Sequence, residues 1–232
     1  MNKRGNNIKA VIFDIDGTLI DSNDAHAESF VHAFQKFGKT VPFVELKWLI
    51  GMGADKILEK YLTKREISDF GEDLTEYRKK IFLKDYLPEL KVFPKMRQLL
   101  EKLNEDGVRL ALASSASAEE LEKYHEILKI DDLLDEETSS DDAEESKPDP
   151  DIFQAALGKL KEIENREALV VGDTPYDAEA SKKARLKIVG VKSGGWSREK
   201  LMERGCFEVY ADIGEIYANY ERVFSPTGAE KD

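Results

Sequence analysis

The chain has 232 residues, of which 41% are hydrophobic and 35% charged, with a formal net charge of −12. That length buries the core of one large domain or two small ones, and the hydrophobic share excludes a disordered or fibrous chain. The acidic balance excludes functions that rest on broad attraction to nucleic acid or to an anionic membrane.

No apolar run approaches the roughly 20 residues of a bilayer span, and the basic opening MNKRGNN leads into no apolar stretch of signal-peptide length. Cys206 is the single cysteine, which rules out an intrachain disulfide, and a cytoplasmic location is expected. Cys206 itself reads as a small, semi-buried side chain rather than a nucleophile. A monomer is the default expectation.

In chain order, the apolar run IKAVIF predicts a first strand that leads straight into Asp14, Ile15, Asp16, Gly17 and Thr18. From about Asp21 to Lys91 the pattern is almost wholly helical: AHAESFVHAFQKFG with Gly38 as its stop, ADKILEKYL, and EYRKKIFLKDYL closed by Pro88. Helix-spaced Phe30, Phe34 and Phe37 are expected in the core of this segment. It is too long for a simple crossover, so a separate helical domain (21–91) is expected, inserted into a core built from 1–20 and 92–232.

VFPKMRQLLEKLNEDG predicts a helix led by Pro94 and ended by Gly107, feeding a second strand, VRLALA, that stops at Ser114. ASAEELEKYHEIL predicts the next helix, with Ser114 and Ser115 as candidate N-caps. The acidic run DEETSSDDAEESKPDP is expected to be a solvated loop, in which only Lys147, held by Pro148 and Pro150, asks for a function. ALVVG then predicts a strand ending at Asp173, YDAEASKKA a helix, KIVGV a strand and EVYA a weaker one. Trp196 is expected to pack across Gly194 and Gly195. Continuous apolar strands alternating with helices predict a doubly wound, Rossmann-like α/β core with a parallel sheet covered on both faces.

Ligands bind such a sheet at the carboxyl ends of its strands near the switch point. Asp14, Ser114 and Asp173 each follow a strand, so they are expected to share one crevice. Two carboxylates about 4 Å apart repel by roughly 4 kcal/mol at an effective dielectric of about 20, so acids gathered there call for a cation. Carboxylates without a His or Cys cluster suit Mg²⁺ rather than zinc. Together with Lys147, such an ion offsets the charge of a phosphoryl group. Asp14 is then expected to attack phosphorus and form an aspartyl-phosphate. Asp16, on the same side of an extended backbone, is expected to protonate the leaving oxygen and then take a proton from the hydrolytic water. Gly17 lets the chain turn and, with Thr18, is expected to present backbone N–H groups to the substrate anion.

DIDGTL, the strand ending in Ser114, SKPDPDIF and VVGDTPYDAEAS occur in that order and resemble the four motifs of the haloacid dehalogenase-like (HAD) phosphatase superfamily, over about Ile8 to Tyr217. The helical insertion resembles the cap of the β-phosphoglucomutase and phosphoglycolate phosphatase branch. The resemblance implies Asp14 as nucleophile and Asp16 as general acid/base. It implies the Asp14 carboxylate, the Asp16 backbone carbonyl and Asp173 as Mg²⁺ ligands. Ser114, with Ser115 as its rival, is similar to the family's phosphate-binding hydroxyl, and Lys147 to the cation that steadies phosphoryl group and nucleophile. Asp177 resembles a carboxylate that orients a metal-bound water, with a helix cap as the alternative. In the cap, His26 resembles a histidine that some members place near the site. Gly51 and Gly53 look like a loop facing the site, with Lys56 as a candidate substrate contact and Met52 as packing. One departure is ARLKIVGV, which lacks the Gly stop found in many relatives after the fourth-motif helix.

The expected function is thus a Mg²⁺-dependent phosphatase of small phosphorylated metabolites such as sugar phosphates. One rival is a phosphomutase of the β-phosphoglucomutase type, which uses the same acids. Another is a non-catalytic phosphoacceptor, which needs neither the insertion nor Asp16, or a metabolite-binding protein in which catalysis has been lost.

Overall fold

Strand β1 (Ala10–Phe13) is buried along its whole length because apolar layers cover both of its faces. Val11 and Phe13 point into one layer and Ala10 and Ile12 into the other, the period-two alternation of an extended chain. The computed structural model describes residues 8–224, so the basic opening MNKRGNN lies outside the described residues. Within them the chain enters α1 (Asn23–Lys36), α2 (Phe43–Lys47), α3 (Ala54–Tyr61) and α4 (Lys64–Ile81) before it returns to the sheet.

The return passes through α5 (Met96–Glu105), β2 (Arg109–Ala113), α6 (Ala118–Leu128), β3 (Glu136–Thr138), α7 (Asp151–Lys159) and β4 (Ala168–Gly172). It ends with α8 (Pro175–Lys183), β5 (Lys187–Val191), α9 (Arg198–Arg204), β6 (Glu208–Tyr210), α10 (Ile213–Ala218) and α11 (Tyr220–Phe224). All neighbouring strands are parallel, in the order β3-β2-β1-β4-β5-β6. Helices α5, α6, α10 and α11 bury Leu99, Leu121, Ile213 and Tyr220 on one face. On the other, α7, α8 and α9 bury Phe153, Ala178 and Leu201. This is the doubly wound core that the apolar strand pattern predicts.

The acidic run departs from expectation, because its start forms edge strand β3 against Ala111–Ala113. Thr138 is buried and its hydroxyl donates to the Leu112 carbonyl at 3.1 Å, while Glu136 and Glu137 stay half-exposed where charge blunts further pairing. His125 of α6 reaches this edge with both ring nitrogens, Nδ1 to Asp131 at 2.5 Å and Nε2 to Glu137 at 2.6 Å. Two carboxylate partners need two N–H donors, so this geometry requires the imidazolium. Burial opposes that charge, but Asp131 and Glu137 prevail and raise the His125 pKa above its ordinary 6.5. A raised pKa stabilises the fold fully below the unfolded value and is lost as pH rises through the folded one. His125→Gln is therefore expected to lower the unfolding temperature most under acidic conditions, with the gap to the parent closing as pH rises. Melting curves between about pH 5.5 and 9 test this, and a gap that widens toward alkaline pH would refute it.

Inside the insertion a separate apolar cluster gathers Phe30, Phe34, Leu46, Ile50, Ile57 and Leu74, with Phe37 packed against it. Helix α4 starts at Lys64 rather than near Glu76, because Thr63 and Glu66 close a capping box at its head. Ile67, Phe70, Leu74 and Tyr77 then face the cluster at helical spacing despite Gly71 between them. The chain passes in and out of the insertion through adjacent segments. Asp21 N–H donates to Lys91 O at 2.9 Å, and Phe93 N–H to Leu19 O at 2.9 Å.

Helix α8 ends without a glycine because Arg185 takes the left-handed conformation at φ 59°. Cys206 is buried, and burial pushes its thiol up to about 12, which suits packing and not nucleophilic attack. No helix among the described residues is long and apolar enough to cross a membrane.

Candidate active site

Connections leave β1 toward β2 on one side and return to β4 on the other, so the crevice at their carboxyl ends is the switch point of the sheet. Asp14 follows β1, and its N–H extends the ladder by donating to Val171 O at 2.9 Å. Ser114 follows β2, and Asp173 follows β4. Asp14, Asp173 and Asp177 each bring an oxygen within 4.8 Å of the others, and all are buried.

Lys147, fully buried beneath the acids, is their one close cation among the described residues. Its Nζ donates to Asp14 Oδ1 at 2.5 Å and to Ala113 O at 3.2 Å, and stands 2.8 Å from Asp177 Oδ1. The Asp177 contact is a buried ion pair. Burial opposes the Lys147 charge, but Asp14 and Asp177 raise its pKa. Burial also raises Asp14 to about 7 in spite of Lys147, and burial beside Asp14 and Asp177 raises Asp173 well above the carboxylate range. One ammonium thus leaves the carboxylates under-compensated. All-oxygen donors carrying excess negative charge match a hard divalent ion such as Mg²⁺.

Thr18 is buried with its hydroxyl 3.1 Å from Asp14 Oδ2 and 3.2 Å from Asp173 Oδ1, so it orders the acids. Its N–H donates to Ile15 O and that of Gly17 to Ile20 O, so these amides are bonded within the turn and do not face an anion as expected. Gly17 serves a different need. At φ +76° a Cβ there would lie 2.3 Å from Asp173 Oδ2, and a Cβ on Gly194 would lie 1.7 Å from the same oxygen. Asn23 donates to that oxygen at 2.9 Å.

Asp16 carries a second network. Ser22 Oγ at 2.6 Å, Tyr124 OH at 2.6 Å and His26 Nε2 at 2.9 Å all converge on its Oδ1. Burial works to raise Asp16, but His26, Ser22 and Tyr124 hold it down to about 2. On its other side His26 Nδ1 lies 3.1 Å from Arg78 Nη1, which only donates, so Nδ1 accepts and Nε2 carries the hydrogen toward Asp16. Phe82 stacks on the imidazole at 4.0 Å.

Asp14, Asp16, His26, Gly51, Met52 and Ser115 line one cavity of about 60 Å³, together with Phe30, Ile50, Ile57, Arg78 and Glu120. Ser114 lies beneath its wall, fully buried, with Oγ accepting from Ala116 N–H at 3.0 Å. Neither serine caps α6, since Ser117 forms the capping box with Glu120. Asp177 does cap, as its Oδ2 accepts from Thr174 N–H and Oγ while Oδ1 faces Lys147. Lys56 is turned away from the cavity lining into ion pairs with Glu145 at 2.6 Å and Asp149 at 3.4 Å. Beside it Ser146 Oγ donates to Asp55 at 2.6 Å, so α3 clamps the loop that carries Lys147. Trp196 packs edge-on against Trp48 of the insertion at 4.7 Å.

Asn23, Arg78, Glu120 and Tyr124 are site residues that sequence reading misses. Glu120 had a signal in the S-x-x-E capping box, and Tyr124 follows it at i+4 on the same helical face. Arg78, one of three consecutive basic residues in the last turn of α4, had none.

A parallel α/β sheet with buried acids and a lysine at its switch point, screened by a helical insertion, defines a hydrolase of the phosphatase class. The profile of the haloacid dehalogenase-like hydrolase family matches residues 11–191, and the chain belongs to that family. It is similar to "Putative pyrophosphatase PpaX" of Clostridium perfringens, with 32% identity over 84% of this chain and 89% of that protein. Likeness to the phosphoglycolate phosphatase of Aquifex aeolicus is 32%, over 78% of this chain and 83% of that one. The crystal structure of a hydrolase from Pseudomonas syringae superimposes with a TM-score of 0.81 at 25% identity, over 93% of this chain and 99% of that one.

Proposed function

We propose that this protein hydrolyses small phosphate monoesters, sugar phosphates among them, through an aspartyl-phosphate on Asp14, with Mg²⁺ as cofactor and in the cytoplasm. The observation that carries this reading is the buried group Asp14, Asp173 and Asp177 served by the single ammonium of Lys147. Mg²⁺ would be held by the Asp14 and Asp173 carboxylates and the Asp16 backbone carbonyl, with Asp177 beside them. When bound it neutralises charge on the phosphoryl oxygens.

Lys147 holds Asp14 Oδ1, which leaves the nucleophile oriented by an ion pair on one oxygen and by Thr18 on the other. Asp16 is a carboxylate in this arrangement, ready to take a proton from water. A phosphoryl dianion placed beside it raises its proton affinity, as any like charge does, and fits it for the acid half of the cycle. Ser115 lines the cavity and is the better placed of the two serines to contact a bound phosphate. The segment 21–91 acts as a cap over the core of 1–20 and 92–232, excluding water around the reacting atoms. The working unit proposed is a monomer. The net charge of −12 fits a small-molecule substrate and neither nucleic acid nor membrane.

Phosphate release from a panel of sugar phosphates, phosphoglycolate and pyrophosphate is the test. EDTA is expected to abolish release, and excess Mg²⁺ to restore it and raise the unfolding temperature by mass action. Full activity in EDTA would sink the metal assignment. Conversion of a hexose 1-phosphate to its 6-phosphate without free phosphate would replace hydrolysis by mutase chemistry.

A further inference from the structure

The cavity beside Asp14 and Asp16 is compact and partly open to solvent. Its volume of about 60 Å³ is a few times the ~10–15 Å³ that a single water needs. Phe30, Ile50, Met52 and Ile57 of the insertion form apolar walls, and its polar end is Arg78 and Glu120.

Both polar residues are more than nine-tenths buried, with Arg78 6% and Glu120 2% exposed. Arg78 Nη2 donates to Glu120 Oε1 at 2.7 Å, so the only Lys or Arg lining the cavity among the described residues is already matched by a carboxylate. Glu120 Oε2 is fixed by the Ser117 N–H and hydroxyl, each at 3.1 Å, so the carboxylate cannot swing aside without uncapping α6. Arg78 is held as firmly, with its guanidinium 5.2 Å from the Phe30 ring and 5.5 Å from Phe82. Its Nε has no partner. The polar end of the cavity therefore offers hydrogen-bond donors and acceptors with no net charge.

Resting on the phosphatase reading above, we propose that Arg78 and Glu120 form a leaving-group subsite for a small, uncharged, hydroxyl-bearing alcohol. In it Glu120 acts as a filter against leaving groups that carry a second negative charge. A hydroxyl both donates to a carboxylate and accepts from a guanidinium, so it engages the pair without breaking it. A carboxylate or second phosphate meets Glu120 beside Asp14 and Asp16 and finds no unmatched cation among the described residues lining the cavity. Repulsion of this kind is how a site rejects a wrong ligand of the right size.

The test compares 2-hydroxyethyl phosphate with 2-phosphoglycolate, which differ only in a hydroxymethyl against a carboxylate, and adds pyrophosphate. The parent enzyme is expected to favour the hydroxyethyl ester by about tenfold or more in kcat/KM, and Glu120→Gln to shrink that ratio by about tenfold. Glu120→Gln keeps the bonds to Ser117, and a ratio of two substrates on one protein is insensitive to a general loss of activity. The same ratio is read as binding, by titration calorimetry on the Asp14→Asn protein with and without Glu120→Gln. A parent that prefers phosphoglycolate or pyrophosphate, or a ratio that Glu120→Gln leaves unchanged, overturns the filter. Absence of phosphate release from all three substrates would instead overturn the reaction, with the binding ratio still deciding the filter.

Discussion

Asp14→Asn is expected to reduce phosphate release by at least about 10³-fold, since an amide cannot form the acyl-phosphate that splits the reaction into two easier steps. The same change is expected to raise the unfolding temperature of the metal-free protein. Burial lifts the Asp14 pKa to about 7, so the folded state disfavours the charged carboxylate that the unfolded chain carries freely at neutral pH. An acid with a raised folded pKa loses stability as pH climbs from the unfolded value toward the folded one, and a neutral isostere removes that loss. The site is therefore strained toward function, and relieving it trades activity for stability. The benefit should vanish at acid pH, where Asp14 is protonated in both states, and shrink with Mg²⁺ present. Release at the parental rate by Asp14→Asn would refute the nucleophile assignment. A variant less stable than its parent in EDTA at neutral pH would refute the electrostatic account.

The catalytic end of the sheet is legible in the sequence because strand ends are local signals. Each of Asp14, Ser114 and Asp173 stands directly after an apolar run, and sheet topology alone brings them together. Lys147 is legible because two prolines and an otherwise uniform acidic run make a single cation conspicuous. What a strand-end argument misses is where the neighbouring groups point. Gly17 and Thr18 are part of the site, but their amides close the turn onto Ile20 and Ile15, a preference set by carbonyls three residues away. Lys56 is as exposed to carboxylates of the core loop as to any substrate, and the core loop wins. Edge strand β3 is hidden because only three residues pair and two of them are glutamates, so its pairing rests on Thr138 and on His125 from another helix. Helix α4 starts before the expected segment EYRKKIFLKDYL, and the T-x-x-E box at Thr63 announces its true start.

Arg78→Met is expected to lower stability by about 3 kcal/mol, although the residue lies in the insertion and far in sequence from the catalytic motifs. Removing the guanidinium leaves Glu120, 2% exposed, as an uncompensated buried charge and withdraws the donor that faces His26 Nδ1 at 3.1 Å. Methionine fills the space between Phe30 and Phe82, so the loss is electrostatic rather than a cavity. Neutralising the partner as well should recover most of it, because a buried pair replaced whole is often close to neutral whereas a pair broken on one side is not. Arg78→Met/Glu120→Gln is thus expected to unfold in urea near the parental midpoint. The deficit of Arg78→Met alone should shrink as pH falls, since an unpaired buried carboxylate has a raised folded pKa and is tolerated once protonated. A single variant within about 0.5 kcal/mol of the parent would show that Glu120 is solvated after all, and with it that Arg78 does not bind the insertion to the core.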